Sequence, residues 1–236
     1  MKQNSFSERI LVGLTGSKDI HWKNKLNEIN KHNIQKIALF LECFKPRQRK
    51  EIYQALLKSN VKEIPLVHAR NDMQRWEFVF LSKNFNSRYF TIHEDSFRLL
   101  SKWNGFHKQL FLEMNTDNVV SNNVKVNKIG GFCVDLAHFK VEEEKWSKEF
   151  DYIIKRKKVK RYFACNHLNG YSFEKNTDLH TIKGLKDFAY LKTLPKFLFG
   201  EVIGLEVENS IPEQLKFMKY LAGLLDASFH KTKIKR

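Results

Sequence analysis

The chain has 236 residues, 42% of them apolar, and its 42 Lys and Arg outnumber 26 Asp and Glu to give a formal net charge of +16. That length and composition suit one large core, so a single domain over residues 1–236 is expected, and the charge favours a polyanionic or phosphorylated partner over a neutral one. No stretch approaches the roughly 18 continuous apolar residues of a membrane span, "MKQNSFSERILVGL" lacks the apolar segment of a signal peptide, and Cys43, Cys133 and Cys165 are too few and scattered for a disulfide framework. The expectation is a soluble, cytoplasmic protein with reduced thiols buried in strands; a monomer is favoured, and the sequence leaves the oligomeric state open.

Taken in chain order, eight short β-rich runs are predicted: 10–16 (ILVGLTG), 36–42 (KIALFLE), 63–69 (EIPLVHA), 89–94 (YFTIHE), 109–115 (QLFLEMN), 131–138 (GFCVDLAH), 161–169 (RYFACNHLN) and 202–209 (VIGLEVEN). Between the first two, "DIHWKNKLNEINKHN" sets Ile20, Leu26 and Ile29 near one helical face. After the second, "RQRKEIYQALLKSN" spaces Ile52, Ala55 and Leu56 in the same way. "VEEEKWSKEFDYIIK" and "IPEQLKFMKYLAGLLDASF" continue the alternation, the latter opening on Ser210, Pro212 and Glu213 as helix-start signals. The segment "TDNVVSNNVKVNKI" after the fifth strand carries no helical pattern. Eight such units predict an α/β fold, a single (β/α)8 TIM barrel with its fifth helix short or missing, followed by a basic C-terminal tail at 229–236.

In such a barrel, chemistry sits at the carboxyl ends of the strands, where the loops converge. Those ends are unusually uniform. The third strand ends in His68, the fourth in His93, the fifth in Glu113, the sixth in Asp135 with His138 beyond it, and the seventh in His167; Asp178 and His180 follow, and the eighth strand carries Glu206. Taken alone, Asp135 could simply cap the next turn, with His138 in solvent. Five of the nine histidines in one set argue for a metal site instead, and mixed imidazole and carboxylate donors suit zinc or manganese, with bridging carboxylates suiting more than one ion. Glu208 competes with Glu206, because residues two apart share a strand face. His21, His32, His107 and His230 fall in helical or terminal segments and are expected to be ordinary surface residues.

This order of residues resembles the nine-ligand trinuclear zinc site of the endonuclease IV family of apurinic/apyrimidinic endonucleases, DNA-repair enzymes within the xylose-isomerase-like TIM barrels. "VDLAH" is similar to the family's I-D-T-C-H, "HLNG" to H-L-N-D, "DLH" to D-R-H, "LEVEN" to L-E-T, and "FKPRQRK" to the DNA-facing N-P-R-Q-W loop. The resemblance implies up to three zinc ions: His68 and His93 on one, Glu113 bridging it to a second held also by Asp135, His167 and Glu206, and His138, Asp178 and His180 on the third. Glu113, Asp135 and Glu206 would be the catalytic carboxylates, with Arg47, Gln48, Arg70 and Asn169 contacting substrate. Clustered divalent ions activate water near neutral pH, neutralise a phosphate and stabilise a leaving alkoxide, so the implied activity is metal-dependent hydrolysis of a phosphodiester in abasic DNA.

The loops that would handle DNA depart from the family pattern at Asn71, Arg49 and Gly170, and the basic run at Lys155 to Arg161 precedes the seventh strand, on the face opposite the mouth. On the mouth side, Lys45, Arg47, Arg49, Arg70, Lys140 and Lys175 are candidate phosphate contacts, and Trp76, Phe139, Tyr171 and Phe173 either line a pocket or cap the core. The competing expectation is a sugar or sugar-phosphate isomerase or epimerase with one divalent ion, manganese or another, on Glu113, Asp135, His167 and Glu206. There Glu113 and Glu206 would double as acid and base, while His138 positions the substrate. A third expectation is a barrel kept as a binding module without catalysis.

Overall fold

The computed structural model describes residues 5–16 and 18–230. After a single helical turn (α1, Phe6–Arg9), strands and helices alternate: β1 Ile10–Leu11, β2 Gly13–Leu14, α2 Asp19–Lys31, β3 Lys36–Phe40, α3 Pro46–Leu57, β4 Glu63–His68, α4 Arg75–Phe85, β5 Tyr89–Ile92 and β6 Leu110–Leu112. There follow β7 Gly131–Asp135, α5 Leu136–Lys145, α6 Lys148–Ile154, β8 Phe163–Leu168, the hairpin β9 Gly170–Ser172 and β10 Thr177–Leu179, then β11 Val202–Leu205 and α7 Ile211–His230.

Nine strands form one sheet in the order β1-β11-β8-β7-β6-β5-β4-β3-β2, every pairing parallel. The two end strands are halves of one segment interrupted at Val12. β1 pairs with β11 and β2 with β3, while the Val12 carbonyl accepts from Ala38 N–H at 2.9 Å. The sheet therefore curls into a nearly closed barrel with eight strand positions, as the sequence pattern predicts. Leu11, Ala38, Phe40, Leu66, Phe111, Cys133, Cys165 and Val202 fill its interior, and a larger apolar layer separates the strands from the helices.

The predicted strands are longer than those observed. The run 131–138 stops at Asp135, because the next residues wind directly into α5, and 202–209 stops at Leu205. The single helix expected from "VEEEKWSKEFDYIIK" is two helices. Trp146 takes a left-handed conformation (φ 52°), and Ser147 caps α6 by accepting from Phe150 N–H. After β6 the chain makes only a short 3-10 turn at Val126–Lys128, matching the expected gap in the helical ring. Ile20, placed on the inner face of its helix by periodicity, is exposed; Trp22, Lys25, Leu26 and Ile29 face inward. Cys133 and Cys165 are free and buried as expected, but Cys43, beyond the end of β3, is exposed. Of the basic tail at 229–236, residues 231–236 lie outside the described residues. No helix among the described residues is long and apolar enough to cross a membrane.

Candidate metal centre

Because side chains on a strand alternate between faces, the interior layer of the barrel determines what comes next at its mouth. Phe111 leads to Glu113, Cys133 to Asp135, Cys165 to His167 and Leu66 to His68, while Val202 leads through Gly204 to Glu206. All five of these terminal residues are buried. Asp135 and His167 are direct neighbours across β7 and β8. His167 Nδ1 lies 2.9 Å from Glu113 Oε2 and 3.2 Å from Glu206 Oε2, and Phe40 floors the cluster with its ring 5.1 Å from that of His167. Potential donor atoms of Glu113, Asp135, His167 and Glu206 lie within 4.8 Å of one another, as do those of His68, His93 and Glu113, and of His68, His167 and Glu206. Glu113 is common to the first two groups.

The three remaining candidates are arranged more loosely. His138 stands on the first turn of α5, with Nδ1 3.3 Å from Glu113 Oε1 and Nε2 3.7 Å from Asp178 Oδ2. The hairpin β9–β10 presents Asp178, whose Oδ2 lies 3.0 Å from His180 Nε2. They form a chain of ion pairs rather than one more compact group. His180 is tied back to the central set, its Nδ1 lying 3.0 Å from the Glu206 carbonyl. Glu208 is exposed, so Glu206 is the glutamate that enters the cluster.

The donors are held by neighbours. Thr91 Oγ1 meets His167 Nε2 at 3.1 Å, which leaves Nδ1 to the carboxylates. Asp135 accepts from His138 N–H through Oδ1 (2.8 Å) and from the Asn169 amide through Oδ2 (2.9 Å). It is thus both the helix cap and a member of the cluster.

Buried polar atoms without partners supply the test of whether a cation fits. Both ring nitrogens of His68, Nδ1 of His93, His138 and His167, and Oε2 of Glu113 are buried yet make no well-directed hydrogen bond among the described residues. Lone pairs left this way are costly unless a cation takes them. The charges tell the same story. Burial opposes the protonated form of His68, but Glu42 and Glu113 outweigh it and push its pKa up to about 10. Burial likewise opposes protonation of His167, and Cys133, Glu113 and Glu206 raise it well above the usual range. Glu113 is held low by His167 and His68 against the effect of burial, whereas burial lifts Asp135 to about 6. The Asp178 carboxyl is held far below its normal range by the neighbouring imidazoles of His138 and His180, and His180 rises to about 9 beside Asp178. The carboxylates demand positive charge, and the donor set of imidazole and carboxylate fits zinc or manganese.

The expected substrate contacts fare differently. Arg47 is exposed at the mouth, 3.4 Å from Glu51. Gln48 is committed to structure: its Oε1 accepts the Lys45 N–H at the start of α3, and its amide donates to Asp19 at 2.8 Å. Arg70 donates to the Glu42 carbonyl at 3.0 Å, and Asn169 is wholly buried behind Asp135. Arg49 is no phosphate contact. It is fully buried, paired through Nε and Nη2 with Glu77 and through Nη1 with Asp72. Lys140 is likewise occupied by Glu143 and Glu144. Phe139 and Tyr171 are core residues, while Trp76 and Phe173 are exposed. One residue that sequence reasoning missed is Glu42, which meets His68 Nδ1; the signal was there, since Ala38 and Phe40 face the interior and Glu42 is next in that alternation.

No protein-family model matches the chain, and no curated protein does. Among solved structures it is similar to one described as the crystal structure of a D-tagatose 3-epimerase-like protein, with a TM-score of 0.58 and 15% identity over 94% of this chain and 99% of that one. At that identity the likeness concerns the fold alone, an α/β barrel. The comparisons lend no support of their own to the endonuclease IV resemblance.

Proposed function

We propose that the barrel mouth is a multinuclear divalent-metal centre that hydrolyses phosphodiesters, with abasic DNA as the leading substrate. The observation that carries this reading is the gathering of His68 and His93 on Glu113, beside the complete set Glu113, Asp135, His167 and Glu206. A single-ion site needs no histidine pair to hold an additional zinc. The net charge of +16 suits a phosphate-bearing substrate. When bound, the ions would supply Lewis acidity, neutralise phosphate charge and lower the pKa of an attacking water. The chain's own part is orientation: Thr91 sets the ring of His167, Asn169 and the His138 N–H set Asp135, and Glu113 stands between the two donor groups.

A second reading, a sugar or sugar-phosphate epimerase or isomerase, is favoured by the likeness to an epimerase-like protein, which speaks more directly for it than for the hydrolase. In it the four-residue set holds one ion, and Glu113 and Glu206 exchange a proton with the carbon next to a carbonyl.

One experiment separates them. Protein loaded with zinc or manganese is given a duplex containing one abasic site and, in parallel, ketoses and ketose phosphates in deuterated water. The hydrolase reading expects incision 5′ to the abasic site, lost in Asp135→Ala and Glu206→Ala. Intact DNA at high enzyme excess, with deuterium entering the ketose, would transfer the assignment to the second reading.

A further inference from the structure

Glu42 has no counterpart among the nine residues expected at the mouth, yet the fold delivers it there. Phe40 is the register partner of His68, and Leu41 N–H donates to the His68 carbonyl at 3.0 Å, so the strand course continues past the end of β3. Glu42, next in the inward alternation, reaches the His68 ring, and its Oε2 contacts His68 Nδ1. That oxygen and His68 Nδ1 are both buried, neither makes a well-directed hydrogen bond among the described residues, and each is the other's nearest polar neighbour there. Its backbone is held as well. Arg70 Nη1 donates to the Glu42 carbonyl, and Arg70 Nε lies 3.2 Å from Asp72, which is anchored by the buried Arg49.

The two nitrogens of His68 face different surroundings. Nε2 lies 3.5 Å from Glu113 Oε2, the carboxylate that groups with His68 and His93, whereas Nδ1 meets Glu42 and has Glu206 Oε1 at 3.6 Å. The Glu206 distance is too long for a hydrogen bond, and that carboxylate also serves His167. An imidazole offers a lone pair at Nε2 only if its proton sits on Nδ1, and a carboxylate accepting at Nδ1 fixes that tautomer.

We propose that Glu42 is a positioning residue that accepts the Nδ1–H of His68 and so keeps Nε2 directed at the ion site shared with His93 and Glu113. This rests on the multinuclear reading for its consequence, though the hydrogen bond itself does not.

The test uses Glu42→Leu and Glu42→Gln in the full chain, because glutamine keeps an acceptor oxygen but loses the charge needed by a direct ligand. Proton NMR of ¹⁵N-histidine-labelled protein should give a far-downfield, slowly exchanging Nδ1–H signal for His68. It should survive in Glu42→Gln and vanish in Glu42→Leu, with or without metal. Competitive chelator titration should find one ion bound about 10–100-fold more weakly in Glu42→Leu, with a much smaller loss in Glu42→Gln. Absence of the signal in the wild type, or its persistence in Glu42→Leu, would overturn the proposal. So would an equal loss of metal affinity in both variants, which would make Glu42 a ligand. A wild type that binds a single ion would instead count against the multinuclear reading, leaving the Nδ1–H signal to decide the role of Glu42.

Discussion

His68 and His180 make the centre sensitive to pH in a direction that can be worked out. Their pKa values rise from 6.5 to about 10 and about 9 in the folded protein, through Glu42 and Glu113 against burial for His68 and through Asp178 for His180. A base raised on folding contributes stability that is complete below its unfolded pKa and is lost as pH climbs through the folded one. Chelated protein should therefore lose thermal stability between about pH 6.5 and 10, while zinc-loaded protein, with a cation in place of those protons, should not. Melting temperatures of the two forms across that range check this; a gap that stays constant or narrows as pH rises would contradict it. Asp135 shows how much of such a residue was legible. The sequence posed helix cap and metal ligand as rivals, whereas the residue caps α5 with one oxygen and faces the cluster. The fate of Arg49 was not legible, because nothing in "KPRQRK" reveals that Glu77, 28 residues later, would bury it.

The element that closes the barrel is also the most constrained. A Cβ on Gly13 would sit 1.9 Å from the Leu205 carbonyl and 2.9 Å from the Phe40 ring, and backbone cannot yield as a side-chain tip can. Gln214 of α7 locks the same point, accepting from Gly13 N–H at 2.7 Å. Gly13→Ala should cost about 2–3 kcal/mol in urea unfolding and weaken metal binding, since Leu205 precedes Glu206. A variant within about 0.5 kcal/mol of wild type would show that the seam can relax. The strands were readable because period-two alternation ends in an expected donor on six of the eight predicted runs. The hairpin β9–β10 was not, since three-residue strands are too short to carry a period. The break at Trp146 was hidden because a left-handed residue is expected to be Gly or Asn, not an aromatic.

Across the whole molecule, charge and chemistry are separated. The run Lys155–Arg161 lies at the amino end of β8, where Arg156 stacks 3.5 Å from the Tyr152 ring centroid, so it is remote from the mouth and adds only to the long-range field. The specific part of the molecule is the ring of strand ends, and the number of ions it holds divides the two functional readings. The most direct measurement is elemental analysis of protein purified without chelator, for the wild type and His180→Ala. The multinuclear account predicts about three ions per chain, mainly zinc, and about one fewer in His180→Ala while the barrel stays folded. A single tightly held ion, indifferent to His180→Ala, would contradict it.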